Sequence, residues 1–133
     1  MSALSGFLRD KLINHCFRGQ TFPAPQVIYL GLFVEDPNSA GTMQEVSAAD
    51  YQRIPIMGKL DPPINGITRN SDVIVFSAGT LFPWGTVRSA AIWDTPDGGT
   101  GNMLIGAPLE QIRTIAQGDP VRYDVGELVI SFA

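Results

Sequence analysis

The chain has 133 residues and a formal net charge of −4. Its length fits a single domain, 1–133, and its apolar content of 44% excludes global disorder. The basic residues are scattered and never form a run, so the sequence predicts no nucleic-acid partner. Charged residues make up only 17% of the chain, which favours surface buried against copies of itself or another partner.

The apolar stretches, the cysteine content and the first residues indicate the cellular compartment and the kinds of site that the chain can form. The longest apolar stretch, residues 27–34, is far shorter than the ~20 residues of a spanning helix, so no membrane association is predicted. The single cysteine, Cys16, excludes an internal disulfide and a multi-cysteine zinc site. The first residues carry no secretory signal, which predicts a protein made and kept in a cytoplasm.

The first predicted element is an N-terminal helix, starting at residue 4 and closed by Gly19 within the segment 1–19. At about 100° per residue, one apolar stripe would dock this helix on the core: it comprises Leu4, Leu8, Leu12 and Cys16. Ile13 and Phe17 lie on a second flank. They predict contact on two sides of the helix, and the alternative is one wide groove that buries every apolar residue.

Residues 20–26 are predicted to form an extended arm, because Pro23 and Pro25 disfavour helix in the residues before them. Beyond the arm, β-branched and aromatic segments alternate with turn signals. The predicted strands cover residues 27–33, 52–56, 72–77, 86–93, 103–107, 112–116, 121–125 and 128–132. No helical pattern recurs among them, so we predict an all-β fold: an antiparallel β-sandwich, jelly-roll-like, over 27–133, with one N-terminal α-helix.

Two of the predicted strands are apolar at consecutive positions instead of alternating ones, 27–34 and 73–76. An antiparallel sheet with one solvated face shows alternation, so these strands need cover on both faces. The helix is one candidate cover, and any apolar face that it leaves open must meet a partner or be tolerated in water.

The residues required for catalysis are missing from the sequence pattern. The only histidine, His15, is adjacent to Cys16 on the helix, and adjacent helical residues do not face each other. There is no G-x-S-x-G elbow, and the spacing of the acidic residues selects no carboxylate pair for general acid–base chemistry. The sequence predicts no enzyme, no catalytic residue, no cofactor and no small-molecule substrate.

Two loops resemble ligand sites and fail in detail. Residues 36–41 begin like a calcium loop, but the fifth position is Ala40 and the twelfth, where a bidentate glutamate is required, is Ser47. The glycines of 98–101 could cradle a phosphate, yet no lysine accompanies them and a strand follows instead of a helix. Asp97-Gly98 is a strong hairpin signal, so we interpret this loop as a β-hairpin and predict no metal site.

An ordered set of motifs spans the whole chain. It comprises VIYLGLFVEDPNSAG at 27–41, EVSAADYQRIPI at 45–56, WGTVRSAAIWD at 84–94 and GDPVRYDVGELVISF at 118–132. Together they resemble a family of small virion structural proteins of tailed bacteriophages, often labelled tail fibre proteins. One departure is Ala48-Ala49-Asp50, where relatives often carry glycines.

The resemblance implies a capsid cement or decoration protein that binds the major capsid protein and copies of itself at the capsid surface of a virion, assembled in the host cytoplasm. The alternative is a tail fibre, baseplate or tail adaptor component. The candidate interface residues are Ile13, Phe17, Phe22, Pro23, Pro25, Phe82 and Trp84. For each of them the alternative is ordinary core packing, which we favour for Trp84.

Overall fold

The computed structural model describes residues 1, 3–34, 44–97 and 101–132. Its elements in chain order are β1 (Ala3–Leu4), α1 (Gly6–Arg18), β2 (Tyr29–Phe33), β3 (Ile54–Pro55), β4 (Ile67–Arg69), β5 (Ile74–Ser77), β6 (Gly85–Trp93), β7 (Met103–Ile115), β8 (Val121–Tyr123) and β9 (Val129–Ser131). The described part of the chain is thus mostly β, with antiparallel sheets and one helix, as the sequence predicts.

The strands form one five-stranded sheet, in the order β1-β7-β6-β2-β3, and two two-stranded sheets, β4-β9 and β5-β8. Side chains from all three sheets meet in one apolar core. Leu30 and Ile92 enter it from the large sheet, Ile130 from β9 and Ile74 from β5. The sandwich or jelly-roll arrangement itself stays a prediction.

Helix α1 begins two residues later than the sequence suggests. Ala3 and Leu4 pair instead with β7, so the predicted helical start at residue 4 is wrong. Ser5 caps the helix, because its hydroxyl oxygen accepts the Leu8 N–H at 3.0 Å and satisfies one of the orphan amides of the first turn. The helix ends as predicted at Gly19, whose φ of 68° is the left-handed conformation that glycine adopts without strain.

Only part of the predicted stripe docks α1 on the core. Leu8 is buried and Leu12 is half-buried, whereas Cys16 is exposed, so its predicted docking role is wrong. Ile13 and Phe17 are 53% and 84% exposed, so the alternative of one wide groove that buries every apolar residue is also wrong. Contact on the second side of the helix stays a prediction.

Strand β7 replaces two predicted strands. The predicted strands 103–107 and 112–116 leave a gap that begins at Pro108, which carries no amide N–H. In the structure β7 continues past it, and the register with β6 shifts between Val87↔Arg113 and Ser89↔Pro108. The short strands β1 and β4 were not predicted, because two or three residues carry too little periodicity to be recognised.

The two strands with consecutive apolar residues behave differently. In β2 every residue from Leu30 to Phe33 is buried, so cover on both faces is confirmed. In β5 Ile74 and Phe76 are buried but Val75 is 44% exposed, so this chain covers only one face of β5, and cover of the other face by a partner stays a prediction. The second face of β2 carries Phe33, which packs with Ala91 and Trp93 of β6, so the chain's own residues supply this cover.

We expect replacement of Leu30 by alanine to lower the free energy of unfolding by about 2–5 kcal/mol, because this fully buried side chain would leave a cavity in the shared core. The matched control is Val75→Ala on the exposed side of β5, for which we expect a change within about 0.5 kcal/mol. Urea unfolding of the two variants measures both values, and equal losses would contradict the position of the core.

Candidate functional site

A buried ion pair lies on the second face of β2. Arg53 donates from Nε to Glu45 Oε2 at 2.8 Å and from Nη2 to Glu45 Oε1 at 3.0 Å, which is a bidentate pair. The Arg53 side chain is 1% exposed and the Glu45 side chain 18%. Glu45 reaches this position because it pairs with Phe33 of β2 in an isolated bridge.

Tyr51 completes this group. Its hydroxyl donates to Glu45 Oε2 at 2.5 Å and accepts the Leu32 N–H at 2.9 Å, so it links the carboxylate to the backbone of β2. Burial, then the hydrogen bond to Glu45 and the charge of that carboxylate, raise the pKa of Tyr51 well above its usual range. We name Glu45, Tyr51 and Arg53 the buried triad.

Gly31 is the residue that lets the buried triad approach β2. A Cβ at this position would lie 2.9 Å from Glu45 Oε2 and 3.2 Å from the Tyr51 hydroxyl oxygen. A larger residue would therefore displace the carboxylate from the centre of the triad.

Arg53 also connects β2 to the β6–β7 hairpin. Its Nη1 donates to the carbonyl oxygens of Thr95 and Asp97, each at 3.0 Å, and its Cζ lies 4.3 Å from the ring centroid of Trp93. A guanidinium over an indole face is favourable, and here both charges are paired and hydrogen-bonded. The triad therefore holds residues 95–97, the described part of the chain just before the glycine-rich segment.

That loop is a hairpin between antiparallel strands β6 and β7, as predicted. Asp94 holds its two sides together: Oδ1 accepts the Asn102 N–H at 2.6 Å and Oδ2 accepts Asn102 Nδ2 at 3.0 Å. Residues 98–100 lie outside the described residues, as does the calcium-like segment 36–41. Within the described residues no group of three His, Cys, Asp or Glu side chains could hold a metal ion.

Asp50 fixes the loop that precedes β6. Its carboxylate accepts the Leu81 N–H and the Trp84 indole N–H, both at 2.8 Å. Desolvation acts to raise the pKa of Asp50, but these hydrogen bonds outweigh it and hold the pKa below its usual value. Asp50 thus holds a loop whose tip exposes Leu81 and Phe82, at 69% and 49%.

Trp84 is not an exposed loop aromatic. It is 4% exposed, its indole N–H is bonded to Asp50, and its ring packs edge-on against Tyr51 and Phe76. The expectation of exposure is wrong for this residue, because the carboxylate next to it satisfies its only polar group within the core. Core packing, the alternative we favoured, describes Trp84.

The other candidate interface residues lie at the surface in three places. Ile13 and Phe17 are exposed on α1, and Phe82 is exposed on the loop before β6. The arm residues line a groove of about 360 Å³ beside α1: Phe22, Pro23 and Pro25. Phe22 is half-buried, because its ring packs edge-on against Phe7 with centroids 6.2 Å apart.

A larger cleft of about 550 Å³, which the sequence analysis missed, lies between β7 and the strands β8 and β9. Its apolar lining includes Val87 and Leu128, and its charged residues are Arg69, Glu110, Arg113, Arg122 and Glu127. Burial raises the pKa of Tyr123, another lining residue, to about 12. These residues are scattered along the chain, so no local pattern could have brought them together.

His15 and Cys16 both lie near the end of α1. His15 Nδ1 lies 2.9 Å from the carbonyl oxygen of Gln20, beyond the end of α1, and Cys16 is an exposed thiol. Among the described residues, no helix has the length and apolarity that crossing a membrane requires.

We expect Arg53→Ala to lower the free energy of unfolding by about 3–5 kcal/mol, because it leaves the Glu45 carboxylate buried without its partner. The chain offers a matched control in Arg122, whose ion pair with Asp124 is 59% and 51% exposed. For Arg122→Ala we expect a loss of about 0–1 kcal/mol. Similar losses in chemical unfolding would contradict a structural role for the buried triad.

The stability that Tyr51 confers should decline at alkaline pH. Its phenol has a raised pKa when folded and ionises near pH 10 when unfolded, so above about pH 10 unfolding releases a proton. We expect the stability advantage of the wild type over Tyr51→Phe to shrink by up to about 1.4 kcal/mol per pH unit above that point. Unfolding curves for both proteins from about pH 8 to about pH 11.5 test this, and parallel pH profiles would contradict it.

The motif residues that marked the resemblance thus have structural positions: Glu45, Tyr51 and Arg53 in the triad, Trp84 in the core, and Asp94 in the hairpin. No curated protein is similar enough to this chain to count as a match. A family model described as podophage GP4 fiber I protein gp80 matches residues 3–131, nearly the whole chain. The resemblance to a family of tailed-phage virion structural proteins is therefore confirmed, and the chain belongs to the podophage GP4 fiber I protein gp80 family.

Proposed function

We propose that this chain is a non-enzymatic structural component of a tailed-phage virion and that it acts by binding neighbouring virion proteins. The family match over residues 3–131 carries this proposal. Assembly in the host cytoplasm and final localisation in the virion follow from it. The expected partners are copies of the chain itself and a neighbouring virion protein.

The distribution of exposed apolar side chains supports a binding role. Phe17 on α1 and Phe82 on the loop before β6 belong to different elements, and both are well exposed. Burying apolar surface contributes about 25 cal/mol per Å² before the costs of association, so each such side chain can contribute to an interface. Low overall charge reduces the desolvation cost of a contact.

The structural use of the polar residues supports a non-enzymatic role. The carboxylates of Glu45, Asp50 and Asp94 each accept hydrogen bonds that hold a strand or loop in place. A catalytic acid or base needs a carboxylate that can exchange a proton with a substrate. These three carboxylates are engaged within the fold instead.

Two locations in the virion remain as candidates. The family description names a fibre, and this favours a tail fibre component or a related baseplate or adaptor position. The capsid cement function, with the major capsid protein as partner, is the second candidate, and the low charged fraction of 17% suits a protein that buries surface on a lattice. A jelly-roll-like sandwich would serve either function, and the shared core of the three sheets supports it.

The copy number of the chain in purified particles tests this proposal. We expect the chain to be present in every particle, at a number set by tail symmetry for a fibre component and comparable with that of the major capsid protein for a cement protein. Quantitative mass spectrometry of intact particles measures the number, and imaging of antibody-labelled particles gives the location. Absence of the chain from mature particles would overturn the structural role.

A further inference from the structure

Helix α1 has an apolar stripe on the side that faces away from the protein. Ile13 and Phe17 lie about 140° and 180° round the helix axis from the docked residue Leu8, at about 100° per residue. Phe17 is 84% exposed, the highest value among the large hydrophobic side chains of the described residues. A pair of exposed apolar side chains at i and i+4 presents one continuous surface.

The end of the helix that carries Phe17 is held firmly. The N–H groups of Gly19 and Gln20 both donate to the carbonyl oxygen of Asn14, which closes the last turn. Arg18 Nη1 donates to Asn14 Oδ1 at 3.0 Å on the outer surface of the same turn. The backbone that carries Phe17 is therefore ordered before any partner binds, which reduces the entropic cost of a contact.

We propose that this stripe binds a second copy of this chain, with the two α1 helices packed antiparallel about a two-fold axis. The pairing adds a specific contact between copies to the proposed structural role. That the contact forms in the virion rests on this proposed role. A two-fold contact requires a self-complementary surface, and the stripe has one. Antiparallel packing centred between Ile13 and Phe17 places each Ile13 against Phe17 of the second copy.

Charge complementarity between Asp10 and Arg18 favours a second copy packed antiparallel. Asp10 and Arg18 lie on the same flank of the stripe, eight residues and about 12 Å apart along the helix. Antiparallel packing brings Asp10 of each copy towards Arg18 of the other, twice by symmetry. In parallel two-fold packing this flank of one copy would lie against the opposite flank of the other, so Asp10 and Arg18 of the two copies would not meet. Within the described residues neither Asp10 nor Arg18 has an ion-pair partner.

The size of the stripe sets the strength of the contact. A pairing through two apolar and two charged side chains per copy lies at the low end of specific interfaces, so we expect a dissociation constant in the micromolar range, about −8 kcal/mol at 1 μM. In a particle, neighbouring copies are held close together, and the effective concentration raises the occupancy of such a weak contact.

Charge reversal of the two flanking residues tests the pairing with the full-length chain. We expect the wild type to dimerise in sedimentation equilibrium, and Asp10→Lys or Arg18→Glu alone to weaken the dimer at least about tenfold by placing like charges together. An equimolar mixture of the two single variants should recover the wild-type affinity within about threefold, because Lys at 10 then faces Glu at 18 and Arg18 faces Asp10.

Two further variants serve as controls. Phe17→Ser should weaken the dimer without an effect of charge, and Arg122→Glu, at the exposed position of β8, should leave it unchanged. Both sites are exposed, so thermal unfolding should show near-wild-type stability in each variant.

Three outcomes would overturn the pairing: a wild type that is monomeric up to about 1 mM, a dimer that both charge reversals leave intact, or a mixture that fails to recover affinity. Each of these is independent of the particle measurement. A monomeric chain that is present in every particle would overturn the pairing and leave the structural role supported. A dimeric chain that is absent from particles would overturn the structural role and leave the pairing supported.

Discussion

The bidentate pair between Arg53 and Glu45 is the interaction on which much of the fold depends. A buried guanidinium is tolerated only when its charge and its N–H groups are satisfied, and here the carboxylate, two carbonyl oxygens and an indole face satisfy them. The carboxylate belongs to Glu45, which pairs with β2. The carbonyl oxygens belong to Thr95 and Asp97 of the β6–β7 hairpin, and the indole belongs to Trp93 of β6. One side chain thus fixes three parts of the chain relative to each other.

The same principle applies at Asp50. A single carboxylate accepts hydrogen bonds from the Leu81 backbone and the Trp84 indole, and this brings a loop and a buried aromatic ring together. The loop tip exposes Phe82 on a backbone that is already ordered. Polar residues at both places therefore maintain shape, while apolar residues such as Phe17 and Phe82 remain at the surface. This separation of buried polar residues from exposed apolar residues is consistent with the proposed binding role.

The consecutive apolar residues of β2 correctly predict a strand covered on both faces, but the source of that cover differs from the one expected. A partner is not required for β2, because Trp93 packs beside Phe33 and the buried triad lies over this second face. Hydropathy counts Arg53 as a charged residue and places it at the surface, since such residues are almost never buried unless paired. Its burial depends on Glu45 and Tyr51, which are held beside β2 by the bridge of Glu45 to Phe33 and by the hydrogen bond from a β2 backbone N–H to the Tyr51 hydroxyl.

The sequence by itself determined the β-rich class, the helix with its closing Gly19, the hairpin between β6 and β7, and the family. These depend on periodicity, turn chemistry and an ordered set of motifs, all of which are local or linear properties. Only the tertiary structure decided that Trp84 is buried, that Phe17 is exposed, and that the cleft beside β7 gathers five charged residues. Periodicity reports which side of a segment is apolar, but what covers that side depends on residues distant in the chain.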